Sequence, residues 1–551
     1  MNLNHPKETE PLQANLPDRA ISALRALLLL TFVSAVAYYV AFSIHWPMLL
    51  DSPIMHYVRF LMDHGMRPYR EITDNNMPGA YLTEGWAMSV FGGGDLGWRL
   101  YDLTLLASLV LSMVVIAWPV DWLAGIYAGG LFILLHASGG PFYSGEREEL
   151  MTVLLMASCA LLFSSVRHRL PWLMLLAGLF SAIAASVKPT MAPLTLILVF
   201  APAGVLPRRR LPFASYLAWG CLGLAITLGL NIAFLLRYDA VKPFLFVLRT
   251  ITPAYISMNR LSFGFLLSRL FPLNLLIPIP FIAVILYLRR SLASERLVMS
   301  WERLILLIAA LFGAFSYLLQ QKGFFHHRYM FVAFALLLMA LELIPATKSR
   351  GLPRIAAAAG IVLSLALSIP HYLGLLRKST THHDLVPTLE ADLTALGGQR
   401  LQGEVQCFDL IFGCLNALYQ LRLVENTGYT GDLLLFVKQP NIATDYYRQM
   451  FWRLDAVHPA SVYVVTNNWF GEPSSFSRIN NWPRFDEYLK RNFTLFQTRT
   501  FPLENRSAPD PSSTDEPYTY RIYIRNGNPL LKTATTCTSE PPHPGETCGP
   551  I

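Results

Sequence analysis

Long apolar runs constrain this chain more than any other feature. The first, ISALRALLLLTFVSAVAYYVAFSIHW, fills residues 21–46, and a helix of about 20 apolar residues is long enough to cross a bilayer. Charged residues make up only 15% of the 551 residues, whereas a soluble protein carries about a quarter. The sequence therefore predicts a polytopic α-helical membrane protein.

We predict about eleven transmembrane helices from the lengths of the apolar runs. They lie near residues 21–43, 99–119, 121–138, 149–166, 170–187, 190–206, 212–236, 264–288, 302–319, 324–345 and 353–374.

Basic residues recur in alternate loops, which predicts the orientation. If the N-terminus is cytoplasmic, the clusters 167–169, 208–210 and 348–354 all fall on the cytoplasmic side, as the positive-inside bias requires. We therefore expect a multi-pass protein with a cytoplasmic N-terminus and a C-terminal domain on the other side, which in a bacterium means the inner membrane and the periplasm. The net charge of +8 belongs to span ends, and no basic helix with interleaved aromatic residues predicts a nucleic-acid partner.

The same pattern divides the chain into three parts. Residues 1–20 are predicted to form a cytoplasmic tail, and residues 21–375 a transmembrane domain. Its first outward loop, 44–98, is too polar to span and has apolar faces typical of short interfacial helices. From residue 376 to 551, amphipathic helices alternate with apolar strands such as SVYVVTNN and YTYRIYIRN. This alternation predicts a small α/β domain on the outer face.

Two pairs of cysteines lie in that outward domain, where disulfides persist. They are Cys407 with Cys414, and Cys537 with Cys548. Neither pair has zinc-finger spacing with partner histidines. Whether either pair is bonded is left open, with a Cys537–Cys548 bridge as a hypothesis.

Four charged clusters fall on the predicted outer side. Taken singly, each has a plain structural explanation, since an acid can cap a helix and a long cation can reach the headgroups. Charges buried in lipid are costly, however, so together they are expected to face a cavity or the aqueous boundary. The clusters are Asp51 with Arg59, Arg70 and Asp74; Gly145 to Glu149; Ser186 to Thr190; and Gln320 to Tyr329.

The order of these features resembles the GT-C superfamily of membrane glycosyltransferases, which includes the protein O-mannosyltransferases and the aminoarabinose transferase of lipid A. The resemblance covers nearly the whole chain. It rests on Asp51 just after the first span, on GMRPYREITDNNMPGAYL, GEREEL and KGFFHHRYM, and on the outward domain ending in YRIYIR. Many relatives carry paired acids after the first span, whereas here Asp51 is followed by Ser52.

The resemblance implies an inverting glycosyltransferase. Such an enzyme moves a sugar from a polyprenyl-phosphate donor in the bilayer to a glycan, lipid or protein acceptor on the outer face. A phosphate leaves readily, so one carboxylate is enough as base. Asp51 is predicted for that role, with Glu148 as the second catalytic candidate. The predicted donor-phosphate ligands are Arg59, Arg70, Lys188, Lys322, His326, His327 and Arg328. The predicted acceptor- or sugar-positioning residues are Asp74, Asn75, Asn76, Glu146 and Glu149.

No cofactor follows from the sequence with certainty. A divalent ion, Mg²⁺ or Mn²⁺, held by Asp51, Glu148 and one histidine is left open, because no fixed ligand spacing supports it.

Two other functions remain open from the sequence. A transporter or flippase would move the lipid-linked sugar without transferring it, but such proteins commonly show internal repeats and charges near the bilayer midplane. This chain shows no repeat, and its candidate charges gather at one face. A scaffold with an outward sensor domain would leave the Asp51 and Glu148 clusters without a role. The transferase hypothesis requires Asp51 to share an outer pocket with Lys322 and the paired histidines.

Overall fold

The structure, a computed structural model, describes residues 16–49, 51–205, 212–258, 260–293, 300–378, 385–409, 413–467, 475–501 and 517–529. The hypothetical Cys537–Cys548 bridge, the basic run 208–210 and most of the predicted tail lie outside the described residues.

The membrane domain is built from helices, as the apolar runs predict. Up to residue 205 they are α1 (Leu16–Ser43), α2 (Asp51–Asp63), α3 (Pro78–Phe91), α4 (Asp95–Ala137), α5 (Arg147–His168), α6 (Leu173–Val187), α7 (Ala192–Phe200) and α8 (Pro202–Val205). They continue as α9 (Pro212–Arg237), α10 (Val241–Phe246), α11 (Thr252–Ser257), α12 (Phe263–Leu270), α13 (Leu273–Leu276), α14 (Pro278–Ala293), α15 (Trp301–Gln320), α16 (Tyr329–Ala346) and α17 (Leu352–Lys378).

Helix is present at each of the eleven predicted spans. Within the described ranges, eight helices are long and apolar enough to cross a membrane, and two shorter apolar helices cover 173–187 and 189–200. One of the eight, α4, runs for 43 residues. This confirms the polytopic helical class, while the number of crossings stays a prediction.

Helix α4 is a hairpin rather than one long helix. Asp121 leaves the helical conformation (φ −168°, ψ 109°) two residues after Pro119, whose ring removes a backbone donor. A Cβ on Gly125 would lie 2.5 Å from the backbone of Val114, so the two halves pack closely side by side. The predicted spans 99–119 and 121–138 are therefore two antiparallel helical segments.

Ion pairs join the helices at the end that carries the basic loops. Asp121 pairs with Arg25 at 2.7 Å and with Lys348 at 2.9 Å, and Arg167 pairs with Glu302 at 2.7 Å. These contacts bring α1, α4, α5 and α15 together at one end of the bundle. The grouping agrees with the predicted sidedness, whereas the absolute orientation stays a prediction.

The C-terminal part is an α/β domain, as predicted, and we call it the outward domain after the side predicted for it. Its helices are α18 (Leu385–Leu396), α19 (Gly413–Gln420), α20 (Ile442–Val457) and α21 (Pro483–Asn492). Its strands are β1 (Val405–Phe408), β2 (Val462–Thr466), β3 (Phe493–Phe501) and β4 (Tyr518–Arg525), in the order β1-β2-β4-β3. Strand β1 is parallel to β2, and the other two pairings are antiparallel. A disulfide joins Cys407 of β1 to Cys414 of α19.

Helix α2 connects this domain to the membrane helices. The hydroxyl of Tyr57 accepts from the Glu425 amide at 2.8 Å and donates to the Leu423 carbonyl at 3.0 Å. The Asn416 side chain donates to the Met48 carbonyl at 3.0 Å. Helix α2 is thus buried beneath the outward domain, because its apolar side chains pack on protein on both faces.

Candidate functional site

A tight turn presents the acidic GEREEL segment at the outer end of α5. Gly145 has a φ of +66°, and a Cβ there would meet the Trp98 ring at 2.4 Å, so the turn requires glycine. Glu146 then takes the extended N-cap position, and Arg147, Glu148 and the next residue form the first turn of α5. Carboxylates are favoured there because the helix dipole is positive at its N-terminus.

Three separate parts of the sequence meet at Glu148. Lys188 Nζ lies 2.5 Å from Glu148 Oε1 and donates to Gln320 Oε1 at the same distance. His327 Nε2 lies 3.4 Å from Oε1, and His326 Nε2 lies 3.7 Å from Oε2. We call Glu148, Lys188, His326 and His327 the Glu148 cluster. All four are predicted site residues, and each is largely buried.

Arg147 joins Asp51 to this cluster. The guanidinium of Arg147 donates to the Asp51 carboxylate, and both side chains are partly exposed. Arg147 also lies within electrostatic range of Glu148 and Asp74, and His326 within range of Asp51. Asp51 and the paired histidines therefore lie at the same end of the helix bundle, with Arg147 between them.

A narrow pocket opens beside Asp51. Glu146, which lines it, is buried, and its carboxylate oxygens accept no hydrogen bond within the described residues. Burial raises the pKa of Glu146 well above its ordinary value, and the neighbouring Asp51 charge adds to the shift. The pocket is lined by Asp51, Ser52, Met55, Ala80, Thr83, Glu84, Trp98, Tyr101, Gly145, Glu146, Arg147 and Leu150.

The predicted positioning residues of the first outward loop lie near this pocket. Asp74 accepts from Asn76 Nδ2 at 2.7 Å and from the Tyr81 hydroxyl at 3.0 Å. Asn75 lies between them in the irregular segment that leads into α3. Asp74 is thus held in place by its own loop, within electrostatic range of Arg147.

Lys322 lies beside the Glu148 cluster rather than in it. Its Nζ donates to the Tyr255 carbonyl at 3.0 Å and to the Met258 carbonyl, and lies 4.9 Å from the Tyr255 ring centre. Tyr255 is within electrostatic range of Asp51 and Glu148. Burial, reinforced by the charge of Arg260, lowers the pKa of Lys322 to about 8.

Two predicted donor-phosphate residues pair elsewhere. Arg59 pairs with Asp63 at 2.8 Å, and Arg70 pairs with Asp239 at 2.9 Å. Arg59 is eight residues beyond Asp51 on α2, which places it about 12 Å further along the helix. Neither arginine forms an ion pair or hydrogen bond with the Glu148 cluster within the described part of the chain.

Arg328 faces a separate cavity of about 380 Å³. It stacks on Phe325 at 4.5 Å and donates to the Arg269 carbonyl. A 3₁₀ helix over His326–Arg328 explains the separation, because three residues per turn put 325 and 328 on one face. The cavity is lined by Leu135, Ser138, Tyr143, Ser268, Arg269, Phe271, Pro272, Leu273, Tyr317, Gly323, Phe324, Phe325, Arg328, His371, Tyr372 and Leu375.

The Glu148 cluster also has the ligands for a metal ion. Glu148, His326 and His327 offer ligand atoms that lie within 4.8 Å of one another. Glu148 Oε2 and both Nδ1 atoms form no hydrogen bond within the described residues. Two imidazoles with one carboxylate suit Zn²⁺, whereas Mg²⁺ prefers oxygen ligands. Because Asp51 pairs with Arg147, the arrangement fits a zinc-type ion better than the predicted Asp51–Glu148 magnesium or manganese site.

Sequence reasoning passed over a second buried group of charges. Arg99, Asp102 and His136 lie within apolar runs of α4 and are buried together with Glu149. Arg99 pairs with Asp102, and His136 Nε2 lies 3.2 Å from Asp102 Oδ1. An arginine and an aspartate one turn apart at the start of an apolar run were the available signal, because ionisable residues inside a membrane helix are costly unless paired.

Solved structures of other proteins share the fold of this chain. ArnT from Cupriavidus metallidurans bound to undecaprenyl phosphate superposes with a TM-score of 0.53 at 13% identity, covering 92% of this chain and 99% of ArnT. Its apo structure gives 0.51 at 10% identity, with the same coverage. The chain has the GT-C fold. The apo oligosaccharyltransferase of Archaeoglobus fulgidus also matches, with a TM-score of 0.51 at 12% identity over 85% of this chain and 73% of that one.

The superpositions on ArnT cover 92% of this chain, so the shared fold includes both the membrane helices and the outward domain. They confirm the predicted fold class. No family model matches the chain, and no curated protein matches it in sequence. We therefore assign roles to individual residues from the geometry of the site and not from a sequence relative.

Proposed function

We propose that this chain is an inverting glycosyltransferase of the bacterial inner membrane. It takes a sugar from a polyprenyl-phosphate donor and passes it to a glycan, lipid or protein acceptor at the periplasmic face. The observation that carries the proposal is the meeting of Asp51, Arg147 and the Glu148 cluster at one outer face. The crystal structure of ArnT with undecaprenyl phosphate adds that a protein of this fold binds such a lipid.

Asp51 is the base of the proposed reaction. Its partly exposed carboxylate accepts the proton of an acceptor hydroxyl. The freed oxygen attacks the anomeric carbon as the bond from that carbon to the donor phosphate breaks, and the phosphate leaves with the bonding electron pair. Attack opposite the leaving group inverts the anomeric centre. Arg147 keeps the Asp51 carboxylate oriented until an acceptor reaches it.

The Glu148 cluster stabilises the departing phosphate. Lys188 supplies a positive charge, His326 and His327 supply imidazole N–H donors, and all three are already held around one carboxylate, so little reorganisation is needed as negative charge develops. Glu148 positions these three side chains, and a zinc-type ion bound there would add Lewis-acid stabilisation of the phosphate. Lys322 supplies a further positive charge close by.

The separate cavity suits the first isoprene units of the donor. Its wall includes aromatic rings, and Phe271 is 39% exposed on the outer surface of the helices. Arg328 puts a guanidinium at this apolar space, and guanidinium groups bind phosphate well. The donor chain would then enter from the bilayer and place its head near the loop that also carries His326 and His327.

Transfer from a panel of radiolabelled undecaprenyl-phosphate sugars tests the proposal. Purified wild-type protein in proteoliposomes, supplied with bacterial envelope extract as acceptor, is expected to move label from lipid to acceptor for at least one sugar. Asp51→Asn is expected to lower the rate by about 10² to 10⁴, the usual worth of a positioned base.

Asp486→Asn is the matched control. Asp486 also lies in the first turn of a helix and forms an ion pair, with Lys490 at 2.6 Å, but it belongs to the outward domain. It should transfer at the wild-type rate. Equal rates for Asp51→Asn and wild type would contradict the assignment of the base.

A further inference from the structure

A buried ion network lies directly behind the GEREEL turn. We define it as Arg99, Asp102, His136 and Glu149, all of which are at most 1% exposed. Arg99 donates to Asp102 and also to Ser43 Oγ at 2.6 Å. Four ionisable side chains removed from both water and lipid require a structural or functional reason.

The network forms hydrogen bonds with two residues of the turn, Ser144 and Gly145. The Gly145 amide donates to Asp102 and to Glu149 Oε2, the latter at 3.1 Å. Arg99 donates to Ser144 Oγ at 2.9 Å.

Neighbouring side chains hold the same turn. The Ser144 carbonyl accepts from Trp98 Nε1 at 3.0 Å and from Ser52 Oγ at 3.3 Å. Ser52 follows Asp51 directly, so the turn is also tied to the first residues of α2. The hydroxyl and the carbonyl of Ser144, and the amide of Gly145, are therefore all used.

We propose that the buried ion network is a positioning device that fixes the Ser144–Gly145 turn, and through it the directions in which Arg147 and Glu148 point. This inference rests on the proposed function for its catalytic consequence. Arg147 and Glu148 follow the turn within three residues, so a rotation at Gly145 moves both side chains. A displacement of about 1 Å in a reacting geometry can cost about 10² in rate.

The assignment moves Glu149 from the predicted acceptor site to the interior. Its side chain is directed at Gly145 and Asp102 rather than at the pocket beside Asp51. Asp102, His136 and Glu149 each offer a side-chain nitrogen or carboxylate oxygen within 4.8 Å of the others, so Glu149 lies among the other members of the network. Glutamine has nearly the shape of glutamate and keeps an oxygen that can accept from the Gly145 amide.

Amide hydrogen exchange of the full chain in lipid nanodiscs tests the device without any substrate. Glu149→Ala is expected to raise exchange at least tenfold in peptides covering 139–146, and Glu149→Gln is expected to leave it at the wild-type level. The control is Glu302→Gln, which breaks the 2.7 Å pair with Arg167 at the opposite end of the helices and should leave this segment protected. If Glu149→Ala cannot be recovered, Ser144→Ala removes a different contact of the same turn and is expected to raise exchange as well.

Kinetics on the donor found in the transfer panel supply the second readout. Glu149→Ala is expected to lower kcat by about 10² with KM unchanged within about threefold, and Glu149→Gln to restore kcat to within a few-fold. Unchanged exchange in Glu149→Ala, or raised exchange in Glu149→Gln, would overturn the proposal. A loss confined to KM would show that Glu149 touches substrate, and zinc that leaves with Glu149→Gln would make the network a metal site; either result also overturns it. If no sugar is transferred at all, the proposed function fails while the exchange result still decides the positioning role.

Discussion

Lys322 binds its proton less firmly than an exposed lysine, which gives the site a pH dependence. Its pKa is lowered to about 8, so the side chain is cationic below that pH and loses its charge as the pH rises through it. If Lys322 helps to bind the donor phosphate, kcat/KM should fall above about pH 8, since this parameter follows the free enzyme. Initial rates between pH 6 and pH 10, at subsaturating donor, measure it.

An arginine at the same position separates Lys322 from other titrating groups. Arginine stays charged over this range, so Lys322→Arg should abolish the alkaline fall. Lys490→Arg, at an exposed ion pair of the outward domain, should keep it. If kcat/KM still falls above about pH 8 in Lys322→Arg, Lys322 does not bind the donor phosphate.

The buried carboxyl of Glu146 predicts that the stability of the protein depends on pH. Burial raises its pKa well above the usual value, so the folded state favours the protonated form. The stability that this carboxyl contributes is fully present below about pH 4.3, its pKa in the unfolded chain. That stability is lost as the pH rises through the pKa of the carboxyl in the folded protein. Glu146→Gln should therefore melt at a higher temperature than wild type at pH 7 and at the same temperature near pH 4.

Thermal melting in detergent at the two pH values measures this effect. A lower melting temperature for Glu146→Gln at pH 7 would mean that the ionised carboxylate is stabilised in the fold, with Arg147 as the nearest cation.

Helix α2 connects Asp51, the proposed base, to the outward domain. It begins at Asp51 and, two turns later, places the Tyr57 hydroxyl between Leu423 and Glu425 of that domain. Tyr57→Phe leaves a buried amide and a buried carbonyl without this partner, at a cost of about 1–3 kcal/mol each. We expect a lower melting temperature and faster proteolytic release of the outward domain.

Tyr287→Phe is the control for Tyr57→Phe, because Tyr287 is 70% exposed on the surface of α14. It should melt as wild type does. Equal melting of the two variants would mean that the domain is held by its other contacts, such as Asn416 with Met48.

The elements also show what could be read from the sequence. The apolar runs gave the helices because spanning length is fixed by the bilayer, and Pro119 marked the α4 hairpin. The partners of Arg59 and Arg70 could not be foreseen, since Asp63 and Asp239 look equally solvated in the sequence. The other partners of Asp102 could not be foreseen, because His136 and Glu149 lie far from it along the chain, within or beside long apolar runs. The high mean hydropathy of those runs gives no sign of buried charges.

For the molecule as a whole, the two ends of the helix bundle have different chemistry. One end is closed by ion pairs such as Arg167 with Glu302. The other end holds Asp51, the Glu148 cluster and the outward domain. Because the candidate site residues gather at one end, the fold suits a reaction at one membrane face, whereas a transporter requires a path that both sides can reach.

A transferase moves sugar from the lipid to an acceptor, whereas a flippase moves the intact lipid across the bilayer. Sealed vesicles with the protein, bacterial envelope acceptor and a radiolabelled polyprenyl-phosphate sugar in one leaflet only distinguish the two functions most directly, when label in each leaflet and label on acceptor are counted over time. We expect label to leave the lipid in wild type and to stay on it in Asp51→Asn. Label that crosses the bilayer while still attached to lipid, equally in both proteins and without transfer for any sugar in the panel, would contradict it.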